Sequence, residues 1–140
     1  MKCPECNTPL KSVRLDDLEV DVCPNPHCAG LWFDRTELAR VDKPHAMLGE
    51  KLLDELPFLE HRPAPRTRPM LCPRCDSVQM ERRPASRNVH EIIDYCPRCG
   101  GSWLQGGGLA AIRRENASRE SELEEHFSEL RYRVTGQRDE

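Results

Sequence analysis

All eight cysteines of this 140-residue chain fall in four close pairs, Cys3 with Cys6, Cys23 with Cys28, Cys72 with Cys75 and Cys96 with Cys99. Thiolates gathered in fours hold soft or borderline cations in closed tetrahedral sites. Residues 1–10 carry no secretory signal, and in a reducing compartment pairs at this spacing point to metal rather than to disulfides. Two Zn2+ ions are therefore expected, one through Cys3, Cys6, Cys23 and Cys28, the other through Cys72, Cys75, Cys96 and Cys99. Disulfides and a rubredoxin-like iron site are the alternatives; a thioredoxin-like redox pair would need a βαβ context that is absent. His27 could stand in for Cys28, but Cys28 keeps register with Gly30 and Trp32 and is preferred.

That register comes from an internal repeat. Cys28, Gly30, Trp32, Leu38 and Ala39 recur at one constant offset as Cys99, Gly101, Trp103, Leu109 and Ala110, and the upstream pair Cys3 and Cys6 recurs at a slightly shorter offset as Cys72 and Cys75. Each unit is too short for a hydrophobic core alone to hold it, so metal must supply the remainder. Every pair opens Cys-Pro, with Pro4, Pro24, Pro73 or Pro97 presetting the tight turn that aims both sulfurs at one ion. The units divide the chain into a first module over 1–60, a linker over 61–69, a second module over 70–108, and a C-terminal helix and tail over 109–140.

The elements that must position the sulfurs follow from hydrophobic period. Val13 and Leu15, then Leu18, Val20 and Val22, alternate with polar residues, predicting a hairpin with Asp16-Asp17 at its tip. Asp34 and Glu37 have the N-cap and N3 chemistry of a capping box before a short helix starting at Leu38. Met47, Leu48, Leu52 and Leu56 predict a second helix ended by Pro57. In the second module, strands are expected around Val78 and Met80 and over 89–95, with a turn over 84–88. Gln105 and Gly108 replace the capping residues, and three glycines predict a mobile junction. One long helix should run from Leu109 to about Val134, with Glu115–Arg119 and Glu129–Arg133 as i, i+4 pairs, and residues 137–140 frayed. Three prolines between 61 and 69 predict a stiff tether, so the modules are not expected to share a core. Trp32 and Trp103 should each pack between their own closing knuckle and the following helix.

Both modules resemble the bacterial zinc-ribbon family known as transcription factor IIB-like zinc-binding, or transcription factor zinc-finger. Its usual form is Cys-Pro-x-Cys, then Cys-Pro-x-Cys-x-Gly-x-Trp-Leu-Asp-x-Gly-Glu-Leu. Module one matches through Cys3, Cys6, Cys23, Cys28, Gly30, Trp32, Asp34, Glu37 and Leu38, with a longer second knuckle and Thr36 in place of the glycine. Module two matches through Cys72, Cys75, Cys96, Cys99, Gly101, Trp103, Leu104, Gly107 and Leu109, and lacks the Asp and Glu. The resemblance covers residues 1–39 and 71–111 and implies a small α+β architecture: two tandem zinc ribbons, each a hairpin with two knuckles and a following helix. A fold does not name a function.

Charge separates the modules. Residues 1–60 carry a net −5, residues 61–109 a net +4 and residues 110–140 a net −2. Arg82, Arg83 and Arg87 near the second hairpin tip, with Arg62, Arg66 and Arg68 upstream, are candidate contacts to phosphate. The expected function is a non-enzymatic zinc-binding protein contacting nucleic acid or the transcription machinery through module two. The alternative is an adaptor that docks a protein partner or a second copy through the C-terminal helix. Closed four-thiolate sites leave no position for a reacting water, and no nucleophile with a paired base or phosphate-binding glycine loop is present, which argues against an enzyme. An acidic tip such as Asp16-Asp17 can hold a metal in transcript-cleavage factors, though two aspartates are also ordinary turn residues. No apolar run reaches the length of a membrane span, and the chain reads as soluble and cytoplasmic.

Overall fold

A computed structural model of the chain describes residues 1–64 and 67–135, from residue 129 onward by backbone alone. The first hairpin forms as its period demands, β1 (Lys11–Leu15) and β2 (Leu18–Val22) pairing antiparallel with Val13 opposite Val20. Asp16 turns the chain with φ 55°, a left-handed angle that Asp tolerates better than most residues. A three-residue strand β3 (Leu31–Phe33) continues from the closing knuckle, followed by a 3-10 turn at Leu38–Arg40 and helix α1 (Met47–Asp54). The second unit gives β4 (Glu81–Ser86), β5 (Val89–Tyr95), β6 (Ser102–Leu104) and helix α2 (Gly108–Thr135). Strand β4 runs on to Ser86, leaving only Arg87 and Asn88 in the turn. Pro84 is accommodated because β4 is an edge strand, and the register shifts beside it.

The two units share one sheet and one core, against the expectation of separate modules. The strand order is β1-β2-β3-β6-β5-β4, and β3 meets β6 antiparallel with Leu31 opposite Leu104, Trp32 opposite Trp103 and Phe33 opposite Ser102. Under the internal repeat this pairing maps onto itself, so a local two-fold axis passes between the tryptophans. Pleating then sorts the side chains. Leu31, Phe33 and Leu104 face an aliphatic core with Leu18, Val20, Leu52, Ile93 and Ile112, drawn from both units and from both helices. Trp32 and Trp103 face the opposite side, in a second cluster with the buried cysteines, Met70 and Met80.

Helix α2 starts on the core and leaves it after Asn116. Leu109, Ile112, Arg113 and Asn116 are buried, whereas residues 117–127 are all exposed. Arg113 crosses to the first unit, where its guanidinium donates to the carbonyls of Val41 at 2.7 Å, Lys43 at 2.8 Å, Pro44 at 3.2 Å and Ala46 at 3.2 Å. Beside it Asn116 donates to the Asp42 carbonyl at 2.8 Å. A buried cation without this many acceptors would be costly; here it satisfies the orphan carbonyls of a loop that Pro44 keeps from being helical. Glu115 does not pair with Arg119 but accepts the backbone N–H groups of His90 and Glu91 at 2.8 and 3.1 Å. The Glu129–Arg133 pair and residues 137–140 lie outside the described side chains. No helix among the described residues is long and apolar enough to cross a membrane.

Candidate metal centres

Four Cys-Pro turns bring the sulfurs together in two sets. Within each set the four Sγ atoms lie within 4.8 Å of one another. In the first, Cys3 and Cys28 are 3.7 Å apart and Cys6 and Cys23 are 3.4 Å apart. In the second, Cys72 and Cys99 are 3.7 Å apart and Cys75 and Cys96 are 3.9 Å apart. Zinc–sulfur bonds of about 2.3 Å at tetrahedral angles would separate sulfurs by about 3.8 Å, whereas a disulfide needs about 2.05 Å. The donor sets fit zinc, and all eight thiols are free.

Backbone amides supply the rest of each knuckle. The N–H groups of Glu5 and Cys6 reach Cys3 Sγ at 3.4 Å, that of Cys75 reaches Cys72 Sγ at 3.3 Å, and that of Cys99 reaches Cys96 Sγ at 3.5 Å. The chain then reverses at a left-handed residue after each pair, Asn7, Ala29, Asp76 and Gly100. His27 is exposed and outside the cluster, its N–H bonded to Asn25 Oδ1 at 3.0 Å. Cys28 completes the set.

The sulfurs cannot all ionise without a cation. A hydrogen bond from the Cys28 thiol holds Cys3 down to about 5. The same contact, with burial and the Glu5 carboxylate, pushes Cys28 far above the ordinary thiol range. Burial pushes Cys23 and Cys72 each up to about 12. A divalent ion held by each set would let its four thiolates coexist.

The supporting residues depart from the sequence reading. Glu37 makes its half of the capping box, accepting the Asp34 N–H at 2.9 Å. The Asp34 carboxylate is drawn elsewhere, to the Trp32 indole N–H at 3.2 Å and to the guanidinium of Arg74 in the other unit. Without an N-cap acceptor the segment forms turns and a 3-10 helix instead of an α-helix. The expected mobile glycine junction is tightly packed. A Cβ on Gly106 would meet the Cys28 carbonyl oxygen at 2.1 Å, and Gly107 holds φ +83°, the region Thr36 takes at 74° in the first unit.

The arginines divide. Arg83 lies over the Tyr95 ring, 3.4 Å from its centroid, and lines with Arg87 one groove floored by Ile93 and Tyr95. Arg82 points through the other face of the strand toward Asp94, 3.9 Å away. Arg62 is anchored, donating to the Gly106 carbonyl at 3.1 Å and pairing with Glu91. Arg68 is exposed, and Arg66 lies outside the described residues. Sequence reading missed Arg114 and Arg119, which line a shallow recess with Arg87; nothing in their spacing points from the helix to a hairpin tip. Asp17 pairs with Arg40 at 2.6 Å, and Asp16-Asp17 joins no group able to hold a metal among the described residues.

The sequence profile of the transcription factor zinc-finger family matches this chain twice, over residues 2–42 and 71–114. Neither a curated protein nor a solved structure matches it.

Proposed function

The chain belongs to the transcription factor zinc-finger family, and from that premise we propose that it is a non-enzymatic zinc-binding protein whose second ribbon contacts nucleic acid. The observation that carries this reading is the pair Arg83 and Arg87 in one exposed groove, with Arg114 and Arg119 beside Arg87. Among the described residues Arg87, Arg114 and Arg119 make no ion pair, so their charge is available to phosphates. Tyr95 holds the Arg83 guanidinium over its ring, which lowers the entropy cost of contact. The first hairpin, with Asp16, Asp17, Glu19 and Asp21, would repel the same backbone. Two closed four-thiolate sets, with no position left for water, support a non-catalytic role for the metal.

The test is duplex binding across a salt series. Replacing Arg82, Arg83 and Arg87 by alanine should weaken binding at all sequences alike and flatten the dependence of log K on log salt by about one for each phosphate no longer neutralised. Parent-like binding by the triple variant overturns the reading. A second reading, an adaptor acting through the C-terminal helix, draws on the exposure of Leu123 (44%) and Phe127 (58%) along α2. No duplex binding, with self-association abolished by Leu123→Ala and Phe127→Ala substitution, would favour it.

A further inference from the structure

Each tryptophan belongs to one ribbon and packs on the other. Gly30 lies just beyond Cys28, and a Cβ there would come within 2.1 Å of the Trp103 ring; Gly101 lies just beyond Cys99, and a Cβ there would come within 2.1 Å of the Trp32 ring. These glycines are also part of the knuckles. The Gly30 carbonyl accepts the Cys23 N–H at 2.9 Å, and the Gly101 carbonyl accepts the Cys96 N–H at 3.0 Å. Each indole therefore lies directly behind the residue that holds a metal-ligating cysteine of the opposite unit. Both rings are fully buried, in one cluster with cysteines of both sets.

We propose that the two metal sites load and release as a coupled pair, with Trp103 a positioning residue for the Cys3, Cys6, Cys23 and Cys28 site and Trp32 the same for the Cys72, Cys75, Cys96 and Cys99 site. A ribbon this small does not hold its knuckles without metal. When one ribbon is empty, its short strand leaves the β3–β6 joint and its indole leaves the neighbour's glycine. The neighbour then exposes its own tryptophan and loses the packing behind its closing knuckle. An ion in the first site orders the strand and ring against which the second site is built, so the second ion binds a preorganised set. By linkage the effect is mutual.

The test uses the full reduced, metal-free chain titrated with zinc in a competing chelator. After each increment, accessible thiols are alkylated and the intact chain is weighed by mass spectrometry, which counts half-protected chains; peptide mapping then reads the two sets separately, without any assay of function. Both sets should gain protection together, with half-loaded chains rarer than two independent sites of equal affinity would leave, for a coupling of about 5- to 150-fold. Gly101→Ala, placed in the second unit, should weaken zinc retention at the Cys3 set by about tenfold or more, the scale of outer-shell support. Should Gly101→Ala fail to fold at all, Trp32→Phe is the milder probe, expected to speed zinc release from the Cys72 set. Protection of the two sets at independent zinc concentrations overturns the proposal, and so does a Gly101→Ala or Trp32→Phe effect confined to the variant's own unit.

Discussion

In the first ribbon the left-handed residue after each cysteine pair is Asn7 or Ala29; in the second it is Asp76 or Gly100. Four different residues, only one of them glycine, take φ between 50° and 77° because the knuckle must reverse there to present two sulfurs to one ion. The backbone device is thus common to both ribbons. What the copies carry on it is not. The first hairpin presents Asp16, Asp17, Glu19 and Asp21, the second Arg82, Arg83 and Arg87. Metal geometry constrains the knuckles so strongly that the hairpins can diverge in charge, from a net −2 over residues 11–22 to a balanced 81–95 whose tip carries arginine in place of aspartate.

The largest effect should come from removing what the ribbons share. Elemental analysis should find two zinc ions per chain, and chelation should unfold both ribbons, since zinc binding of about 10–16 kcal/mol exceeds what so small a core supplies. Circular dichroism during chelation reads this directly. One metal per chain, or a ribbon that keeps its hairpin signal without metal, would break the likeness between the halves.

The tryptophans sharpen the comparison next. Either Trp→Ala change should cost about 3–5 kcal/mol, as emptying a buried aromatic site does. Trp→Phe should separate them. The Trp32 indole N–H is bonded to Asp34, whereas the Trp103 N–H is buried and has no partner among the described residues. The second unit has Gln105 where the first has Asp34, and Gln105 instead donates to the Ala64 carbonyl at 2.5 Å. Trp32→Phe should therefore lower the melting temperature, at fixed excess zinc, by more than Trp103→Phe does. Equal shifts would mean that the Asp34 bond contributes nothing.

Much of this was legible in residue order, because it is local. The cysteine spacing specifies both sulfur sets, the period of two specifies β1 and β2, the repeat of that plan in the second unit specifies β5, and the apolar spacing of Met47, Leu48 and Leu52 specifies α1. What escaped is what the halves do to each other. Strands β3 and β6 are too short for a period, and their pairing depends on glycines in the opposite unit. Arg113 reads as a surface charge within a helix, yet its partners are four carbonyls of the first unit, between Val41 and Ala46. Asp34 has the chemistry of a cap, and only the arrival of Arg74 from the other unit draws its carboxylate off. One turn was legible by comparing the halves. Aligning the repeats places Thr36 on Gly107, and a residue aligned with glycine at a turn is a candidate for positive φ, which both adopt.

The smallest effect belongs to a pair of aspartates at one position of the repeat. Asp21 and Asp94 each sit two residues before the first cysteine of the closing knuckle, and each lies opposite a tryptophan in the sheet. Burial pushes the Asp21 carboxyl above its ordinary range, helped by the charges of Asp34, Glu19 and Glu37. Asp94 instead faces the Arg82 guanidinium at 3.9 Å. A carboxyl whose folded pKa is raised disfavours folding once ionised. That cost is fully present above the folded pKa and disappears as pH falls below the unfolded value of about 3.9. Asp21→Asn should therefore raise the melting temperature slightly at neutral pH, by about 1–3 °C at fixed excess zinc, with the gain fading toward pH ~4. Asp94→Asn should lower it, because it leaves Arg82 without its facing charge. Paired thermal scans of the two variants at neutral pH read the signs; matching signs would mean that the divergence of charge between the ribbons stops at the surface and does not reach the sheet.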